Sequence, residues 1–235
     1  MHSNDAFGPA YFQKYYFSRK TRVVTPAEMR TRASLIAAIL RQAQIPVRRI
    51  LDAGCGVGLL RAPFQKSLPR ASYTGLEWSD YLCGRYGWTQ GSIADFAPRQ
   101  PYDLVVCYDV LQYLDDRRAA RSLANLARLS RAAVYVSALT TEDWRDHCDQ
   151  ALTDRAVHLR NAEWYRRRLA KHFRHLAFGV WLRKDVHAIW WELERADARA
   201  TGAARGAGAL KGTVVSSRRA LRARARPRPR RRADR

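Results

Sequence analysis

The residues most suited to chemistry begin with an acid and three alternating glycines: Asp52, Gly54, Gly56 and Gly58. The surrounding residues 50–60 start as an apolar strand and continue into a helical pattern, so the glycines fall in the turn between them. Glycine has no Cβ, which leaves room for a ligand against the backbone, and the first N–H groups of a helix are free to bind it. The segment therefore predicts a cradle for a nucleotide-like ligand.

The spacing of the glycines argues against a dinucleotide-binding turn. That turn needs Gly-x-Gly-x-x-Gly or Ala, but counting from Gly54 puts Leu59 at the last position, and counting from Gly56 puts Arg61 there. An acid two places before three alternating glycines instead resembles the first motif of the class I S-adenosylmethionine-dependent methyltransferases. The resemblance implies S-adenosylmethionine as cofactor, with the glycines beside its methionine and ribose portions. It also implies that Asp52 orders the turn by accepting backbone N–H bonds.

Glu77 supplies a second element of the same resemblance. It ends an apolar segment, 72–77, that reads as the next strand, and it follows Gly58 by 19 residues. Ligands of open α/β sheets bind beyond the carboxyl ends of the strands, where an acid at about this distance accepts from ribose hydroxyls. Glu77 is therefore predicted to bind the ribose, the alternative being a surface acid at a strand end.

Residues 102–114 resemble the fourth motif of the family, an aspartate and a buried apolar strand followed by a turn. Five apolar residues in a row within this segment indicate a strand buried on both faces. The resemblance places Cys107, Tyr108 and Asp109 beside the methionine portion and the reactive end of the cofactor. Tyr113 stands where many members that act on small molecules have His, so a His base is not implied there, and Tyr113 is itself a catalytic candidate.

The adenine-binding residues are less defined. Many family members have Gly-Asp between the second and fourth motifs, whereas this chain has Gly91 followed by Ser92. Either Ser92 and the backbone at Ile93 contact the adenine, or Asp95 reaches it. The alternative for Asp95 is a cap on the next turn.

An inserted stretch, residues 139–176, carries two further catalytic candidates. His158 and Tyr165 lie in it, and the loops that follow the strands supply substrate-binding groups in this kind of fold. For His158 the alternative is an ordinary solvated or hydrogen-bonded side chain, because a catalytic role requires geometry that a sequence does not show. His147 and Cys148 are adjacent rather than at ligand spacing, and no metal site is predicted.

The order of strands and helices predicts the fold class. Helical patterns separate most of the predicted strands, which implies an α/β, Rossmann-like, doubly wound and mostly parallel sheet of seven strands. The final two are joined by about five residues, too few for a crossover helix, so the last strand is predicted to be reversed, as it is in the methyltransferase family. The predicted strands cover residues 49–53, 72–76, 88–90, 104–108, 132–138, 178–183 and 187–193.

Three regions follow from this pattern. Residues 1–48 contain an aromatic segment, 11–17, and a helix from Pro26 to about Gln42, with Thr25 and Glu28 forming a capping box. The resemblance implies that this region covers the cofactor site, the alternative being an aromatic cluster at the sheet edge. The resemblance also implies that residues 49–197 form the methyltransferase core, and residues 198–235 are predicted to form a basic tail.

The composition and charge indicate the cellular location and the partners of the protein. The net charge is +22, and half of it arises from Thr201 onward, where twelve Lys or Arg residues face one acid. Such a tail is predicted to be disordered and to bind nucleic acid at most weakly and without specificity. The start of the chain is not a signal peptide and no apolar stretch is long enough to span a membrane, which favours a soluble cytoplasmic protein. The four cysteines include no Cys-x-x-Cys pair, so reduced thiols are expected.

The predicted function is transfer of a methyl group from S-adenosylmethionine to an oxygen, nitrogen or carbon atom of a small molecule. One alternative keeps the chemistry but makes RNA or protein the acceptor, with the tail as tether. Amino-methylating nucleic-acid enzymes place Asn or Asp, Pro, Pro and an aromatic residue after the fourth strand, and the segment from Asp109 to Gln112 does not match. A second alternative is a non-catalytic binding protein of the same fold.

Overall fold

A computed structural model describes residues 4–189. Seven strands form one sheet in the order β3-β2-β1-β4-β5-β7-β6. Strands β1 to β5 are parallel to one another, and β7 runs antiparallel to both β5 and β6. This is the Rossmann-like sheet with a reversed last strand that the sequence predicts. The strands are β1 Arg49–Ala53, β2 Ser72–Glu77, β3 Thr89–Gln90, β4 Tyr102–Tyr108, β5 Ser130–Ser137, β6 Phe173–Ala177 and β7 Val180–Arg183.

Seven α-helices accompany the sheet. A 3₁₀ turn at Asn4–Phe7 precedes the first helix, a π-helical turn at Gln13–Phe17 follows it, and a second 3₁₀ turn covers Leu111–Tyr113. The helices are α1 Pro9–Phe12, α2 Pro26–Gln42, α3 Arg61–Ser67, α4 Asp80–Tyr86, α5 Asp116–Leu129, α6 Thr141–Asp146 and α7 Ala162–Leu169.

The start of α2 confirms the predicted capping box. The Thr25 hydroxyl accepts from the backbone N–H of Glu28, the Glu28 carboxylate accepts from the backbone N–H of Thr25, and Pro26 occupies the first turn. These contacts satisfy N–H groups that would otherwise lack partners at the helix start. The helix ends at Gln42, as predicted.

The last two strands do not lie where the sequence predicts them. They form an antiparallel hairpin, but it covers residues 173–183 rather than 178–193, and residues 190–193 lie outside the described residues, as does the tail 198–235. The turn consists of Phe178 and Gly179, whose φ angles of 43° and 81° are both positive. Two successive positive φ angles give the two-residue turn whose twist matches an antiparallel hairpin.

The core lies on both faces of the sheet. Alternate side chains of β1, β4 and β5 point to opposite faces, so Ile50 packs against α2 and α3 while Leu51 packs towards α5 and α7. Strand β4 is buried from Tyr102 through Cys107, which confirms the strand predicted there. The carboxyl ends of β1, β2 and β4 therefore meet at one edge of a rigid sheet, where the candidate site lies.

Candidate active site

The glycine turn follows β1, and its backbone is left-handed at each glycine. The φ angles are 76° at Gly54, 53° at Gly56 and 77° at Gly58. A Cβ at Gly54 would lie 2.2 Å from Val110 Cγ2, and one at Gly58 would lie 2.7 Å from Trp88 Cζ2. Two of the three glycines are therefore required by the packing of the protein's own side chains, a reason that the sequence does not show.

Gly56 differs from the other two glycines. A Cβ there would approach Tyr16 no closer than 3.8 Å, so the space beside it is open. Gly54 and Gly56 line a cavity of about 280 Å³ at the carboxyl edge of the sheet, whereas Gly58 does not. The full lining consists of Phe7, Tyr11, Phe12, Tyr16, Gly54, Gly56, Glu77, Trp78, Gly91, Ser92, Ile93, Asp109, Val110, Tyr113, Leu114, Asp115, Arg118 and His158.

Glu77 lies at the end of β2 in the wall of this cavity. One carboxylate oxygen accepts from the backbone N–H of Gly56 at 2.7 Å, and the other accepts from Trp78 N at 2.8 Å and Ser79 N at 3.0 Å. An ionised carboxylate has about four acceptor positions. Three are used within the protein, so Glu77 retains about one for a ligand hydroxyl while it also ties the glycine turn to β2.

Asp52 makes a different contact from the one expected. Its carboxylate accepts a hydrogen bond from the Tyr73 hydroxyl, and the described contacts include no backbone N–H donor to it. The side chain is buried, and burial raises its pKa to about 7. Asp52 lies outside the main cavity, in the wall of a smaller one of about 40 Å³ that shares Gly54, Gly56 and Tyr16 with it. The backbone-accepting role predicted for Asp52 belongs to Glu77.

The residues predicted to contact adenine do not all lie together. Ser92 and Ile93 line the main cavity, next to Gly91. Asp95 is a surface residue whose carboxylate forms an ion pair with Arg121 at 2.6 Å, and it is not part of the cavity wall. Adenine contact by Ser92 and Ile93 stays a prediction, and the structure gives Asp95 no position from which to join them.

The two candidates on β4 also lie outside the main cavity. Cys107 is fully buried among the apolar side chains beneath the site, and burial raises the pKa of its thiol. Tyr108 lines the smaller cavity, and its ring stacks against the Arg32 guanidinium at 4.2 Å. Their predicted contact with the cofactor is therefore not direct in the described arrangement.

Of the three catalytic candidates, Tyr113 and His158 line the main cavity and Tyr165 does not. The backbone N–H of His158 donates to the Gln112 carbonyl at 2.7 Å, which holds the 158 loop against the turn that carries Tyr113. Tyr165 is buried in the core on α7, where its hydroxyl accepts from Arg160 at 3.4 Å. Its contact with Arg160 connects it to the site, since Arg160 also donates to the His158 carbonyl.

The N-terminal aromatic residues form the outer wall of the cavity. Phe7, Tyr11, Phe12 and Tyr16 all line it. The Ser79 hydroxyl donates to the Phe7 carbonyl at 2.7 Å, which fixes this segment to the start of α4. The sequence left open whether the segment covers the site or packs at the sheet edge, and the structure places it over the cavity.

Sequence reasoning missed Arg160, because nothing in its local pattern marks it. Its guanidinium is buried and donates to the carbonyls of Leu111 at 3.1 Å and Leu114 at 2.6 Å, on both sides of Tyr113. It also donates to the His158 carbonyl at 3.3 Å and pairs with Asp116 at 2.7 Å. One side chain thus holds the turn of Tyr113, the loop of His158 and the start of α5.

Asp115 and Arg118 line the cavity without having been singled out as site residues. Asp109, predicted beside the reactive end of the cofactor, also lines it. Among residues 4–189, no group of three or more His, Cys, Asp or Glu side chains is placed to hold a metal ion. No helix in that same range is long and apolar enough to cross a membrane.

Comparison with known proteins identifies one matching family. Residues 51–132 match the family described as a methyltransferase domain. No curated protein matches the sequence significantly.

Several solved structures share the fold. The magnesium protoporphyrin IX methyltransferase of Synechocystis PCC 6803, with bound S-adenosylmethionine, is 16% identical, with a TM-score of 0.51 over 78% of this chain and 99% of that chain. The same enzyme with bound S-adenosylhomocysteine has a TM-score of 0.53 and 17% identity over 77% and 95% of the two chains. DesVI of Streptomyces venezuelae has a TM-score of 0.54 and 17% identity over 73% and 95%.

The sheet order, the reversed last strand and the cavity beyond the carboxyl ends of β1, β2 and β4 define a Rossmann-like fold with a cavity at the edge where such sheets bind ligands. Within this fold, residues 51–132 match a methyltransferase domain. Solved structures of the same fold contain S-adenosylmethionine or S-adenosylhomocysteine.

Proposed function

We propose that this protein methylates a small molecule. The observation that carries the proposal is the outer wall of the cavity, which consists of the segment from Phe7 to Tyr16 and closes over the glycine turn. A cavity of about 280 Å³ that is walled on this side admits a small acceptor, whereas a folded RNA or protein would need an open approach to the same edge. The magnesium protoporphyrin IX methyltransferase, whose acceptor is also a small molecule, has the same fold.

The residues that line the cavity fit S-adenosylmethionine as the cofactor. Gly56 leaves open space at the turn, Glu77 keeps an acceptor position for a ribose hydroxyl, and Ser92 and Ile93 offer polar groups where adenine is expected. The bound cofactor supplies a methyl group made electrophilic by its sulfonium. The protein's own contribution is alignment of the two reactants and exclusion of water, which account for a large part of the rate enhancement when the methyl group is already activated.

Tyr113 and His158 are the named candidates to orient the acceptor, since both face the cavity. Burial raises the pKa of the Tyr113 hydroxyl, and the neighbouring Tyr16 raises it further, against a smaller lowering by the hydrogen bond with Tyr11. A hydroxyl with a raised pKa stays protonated at neutral pH, so Tyr113 acts as a hydrogen-bond donor or acceptor and not as a phenolate base.

Calorimetry with S-adenosylhomocysteine tests the cofactor assignment, and a radiolabelled methyl-transfer assay tests the acceptor class. We expect label in the low-molecular-weight fraction of a host lysate rather than in its RNA or protein. A truncated protein that lacks residues 198–235 is the matched control, because it loses the basic tail and keeps every described residue. Loss of turnover on RNA or protein in the truncated protein, with cofactor affinity intact, would favour the macromolecular acceptor instead.

A further inference from the structure

Asp109 is a carboxyl in the cavity wall with two described side-chain donors, so about half of its acceptor positions are open. Its described hydrogen-bond partners are the Gln112 amide, at a long 3.4 Å, and the Tyr108 hydroxyl. Glu77, in the same wall, accepts three backbone N–H bonds of 3.0 Å or less. Among residues 4–189, no cation lies within ion-pair distance of Asp109. A partly buried carboxyl with so few donors is suited to a cationic or hydrogen-bonding ligand.

The backbone holds Asp109 in this position at some conformational cost. Its φ is 56°, in the left-handed region that non-glycine residues rarely adopt, and its N–H donates to the Ser137 carbonyl at 2.9 Å. Strained residues of this kind cluster at functional sites, where the surrounding structure enforces them. The residue follows β4 directly, at the edge of the sheet where the glycine turn also lies.

The groups packed around Asp109 are mostly aromatic and acidic. Tyr16 and Tyr113 share the cavity wall with it, and the face of a tyrosine ring favours a cation over an anion. Asp143 on α6 adds a second negative charge nearby. Arg32 on α2 is the nearby positive charge, but its guanidinium stacks on the Tyr108 ring at 4.2 Å.

The remaining charged groups of the cavity are Asp115, Arg118 and His158. Arg32 also donates to the Tyr135 hydroxyl, and it is not part of the cavity wall. The wall around Asp109 therefore offers a carboxylate and tyrosine rings to an incoming group.

Resting on the methyltransferase function proposed above, we propose that the acceptor is an amine, and that Asp109 binds its ammonium group and takes one proton from it. Proton transfer to the Asp109 carboxylate leaves a free lone pair on the amine nitrogen. The N–C bond then forms as the C–S bond of the cofactor breaks, and the sulfur keeps the electron pair. The products are the methylated ammonium and S-adenosylhomocysteine, and the Asp109 proton passes to solvent after release.

The acidity of Asp109 is consistent with this role. Burial raises its pKa, and the charge of Asp143 raises it further. A carboxyl whose pKa is above the usual range is a better proton acceptor than an ordinary aspartate.

The experiment uses protein saturated with S-adenosylhomocysteine and three probes of similar shape: benzylamine, benzyl alcohol and benzoate. We expect benzylamine to bind at least about tenfold more tightly than the other two at mildly alkaline pH, a factor equivalent to ~1.4 kcal/mol. Benzylamine affinity should weaken as the pH falls and Asp109 is protonated, and benzyl alcohol affinity should not change. Absence of benzylamine binding, or equal binding of the alcohol, would overturn the proposal.

Asp109→Asn is the decisive variant, and Asp115→Asn is its matched control in the same wall. Asn tolerates a left-handed backbone well, so the variant should fold, and its thermal melt checks this. We expect the preference for benzylamine over benzyl alcohol to disappear in Asp109→Asn and to persist in Asp115→Asn. Persistence of the preference in Asp109→Asn would exclude Asp109 as the ammonium-binding group.

Two cofactor analogues separate the acceptor amine from the cofactor's own ammonium group. S-adenosylhomocysteine carries that group, and 5′-methylthioadenosine lacks the amino-acid portion. If Asp109→Asn weakens binding of the first but not of the second, Asp109 binds the cofactor and the amine proposal fails. Failure of the unaltered protein to bind S-adenosylhomocysteine would instead contradict the proposed function itself.

Discussion

The hydroxyl of Tyr11 lies 2.9 Å from the hydroxyl of Tyr113, although 102 residues separate the two in sequence. Tyr11 belongs to the N-terminal segment, and Tyr113 belongs to the turn after β4. The ring of Phe7 also meets the Tyr113 ring edge to face, with centroids 5.4 Å apart. These contacts join the two walls of the cavity, and they are placed where they could slow release of a bound cofactor.

A double-mutant cycle tests this connection. Tyr11→Phe and Tyr113→Phe each leave one hydroxyl without its partner, so each should weaken S-adenosylhomocysteine binding by about 0.5–1.5 kcal/mol. The double variant should lose little more than either single variant, because both remove the same hydrogen bond. Calorimetry on the four proteins measures the coupling. Strictly additive losses would show that the two hydroxyls contribute independently.

Glu77→Ala should reduce both stability and cofactor affinity. The substitution leaves the N–H groups of Gly56, Trp78 and Ser79 without their acceptor, and each buried donor left unpaired costs about 1–3 kcal/mol, less where water can reach it. We expect unfolding of the ligand-free protein in urea to become easier by roughly 2–4 kcal/mol, with affinity for S-adenosylhomocysteine reduced about tenfold or more.

Asp95→Ala is the matched control for Glu77→Ala, since it removes an exposed acid paired only with Arg121. Exposed pairs of this kind contribute little, so neither stability nor affinity should change measurably. Unchanged ligand-free stability in Glu77→Ala would mean that the glycine turn does not depend on this carboxylate.

Arg160→Met should loosen the turn that carries Tyr113. The buried carbonyls of Leu111 and Leu114 lose their donor, so we expect a loss of about 2–3 kcal/mol in the free energy of unfolding. A chain of this size then melts roughly 4–10 °C lower. Arg160→Lys should recover little of the lost stability, because an ammonium group cannot reproduce the planar fork of donors of a guanidinium.

Cofactor affinity, measured at a temperature where each variant remains folded, tests whether Arg160 has a role beyond stability. Arg160→Met should weaken S-adenosylhomocysteine binding, because Tyr113 and His158 line the cavity from segments that Arg160 holds. Arg145→Met, which removes an exposed pair with Asp146, serves as the control and should change neither property. Normal affinity in folded Arg160→Met would limit Arg160 to a structural role.

The sequence predicts the parallel part of the sheet well because that part has local signatures. Strand β4 appears as a run of buried apolar residues, and α2 is marked by the capping box at Thr25 and Glu28. The final hairpin was misplaced by several residues because Ala177 to Leu182 reads as one apolar run. The turn inside it uses Phe178, a residue type that rarely adopts positive φ, and only Gly179 hints at it.

The site residues likewise include some that the sequence marks and some that it does not. Gly54, Gly56, Glu77 and Ser92 have characteristic positions in sequence and do line the cavity. Arg160 functions through carbonyl groups about 46–49 residues away, which no local pattern specifies. Asp52 was expected to order the turn, but Glu77 accepts the backbone N–H bonds, because motif spacing identifies an acid without telling which N–H groups point towards it.

Asp52 should make stability depend on pH in a direction unusual for an acid. Its pKa is raised by burial to about 7 in the folded protein, against about 3.9 in an unfolded chain. Between these values the folded state binds more protons than the unfolded state, so the free energy of unfolding falls as the pH rises from about 4 to about 7. Asp52→Asn removes this ionisation and keeps an oxygen that can accept from the Tyr73 hydroxyl.

We therefore expect the stability of Asp52→Asn relative to the unaltered protein to increase as the pH rises from about 4 and to level off above about 7. Urea unfolding at several pH values measures this difference. Asp185→Asn is a control of opposite sign, because the neighbouring Arg183 lowers the pKa of Asp185 and its contribution is present at higher pH and lost on acidification. A pH-independent difference for Asp52→Asn between about pH 4 and pH 7 would show that folding does not raise the pKa of Asp52.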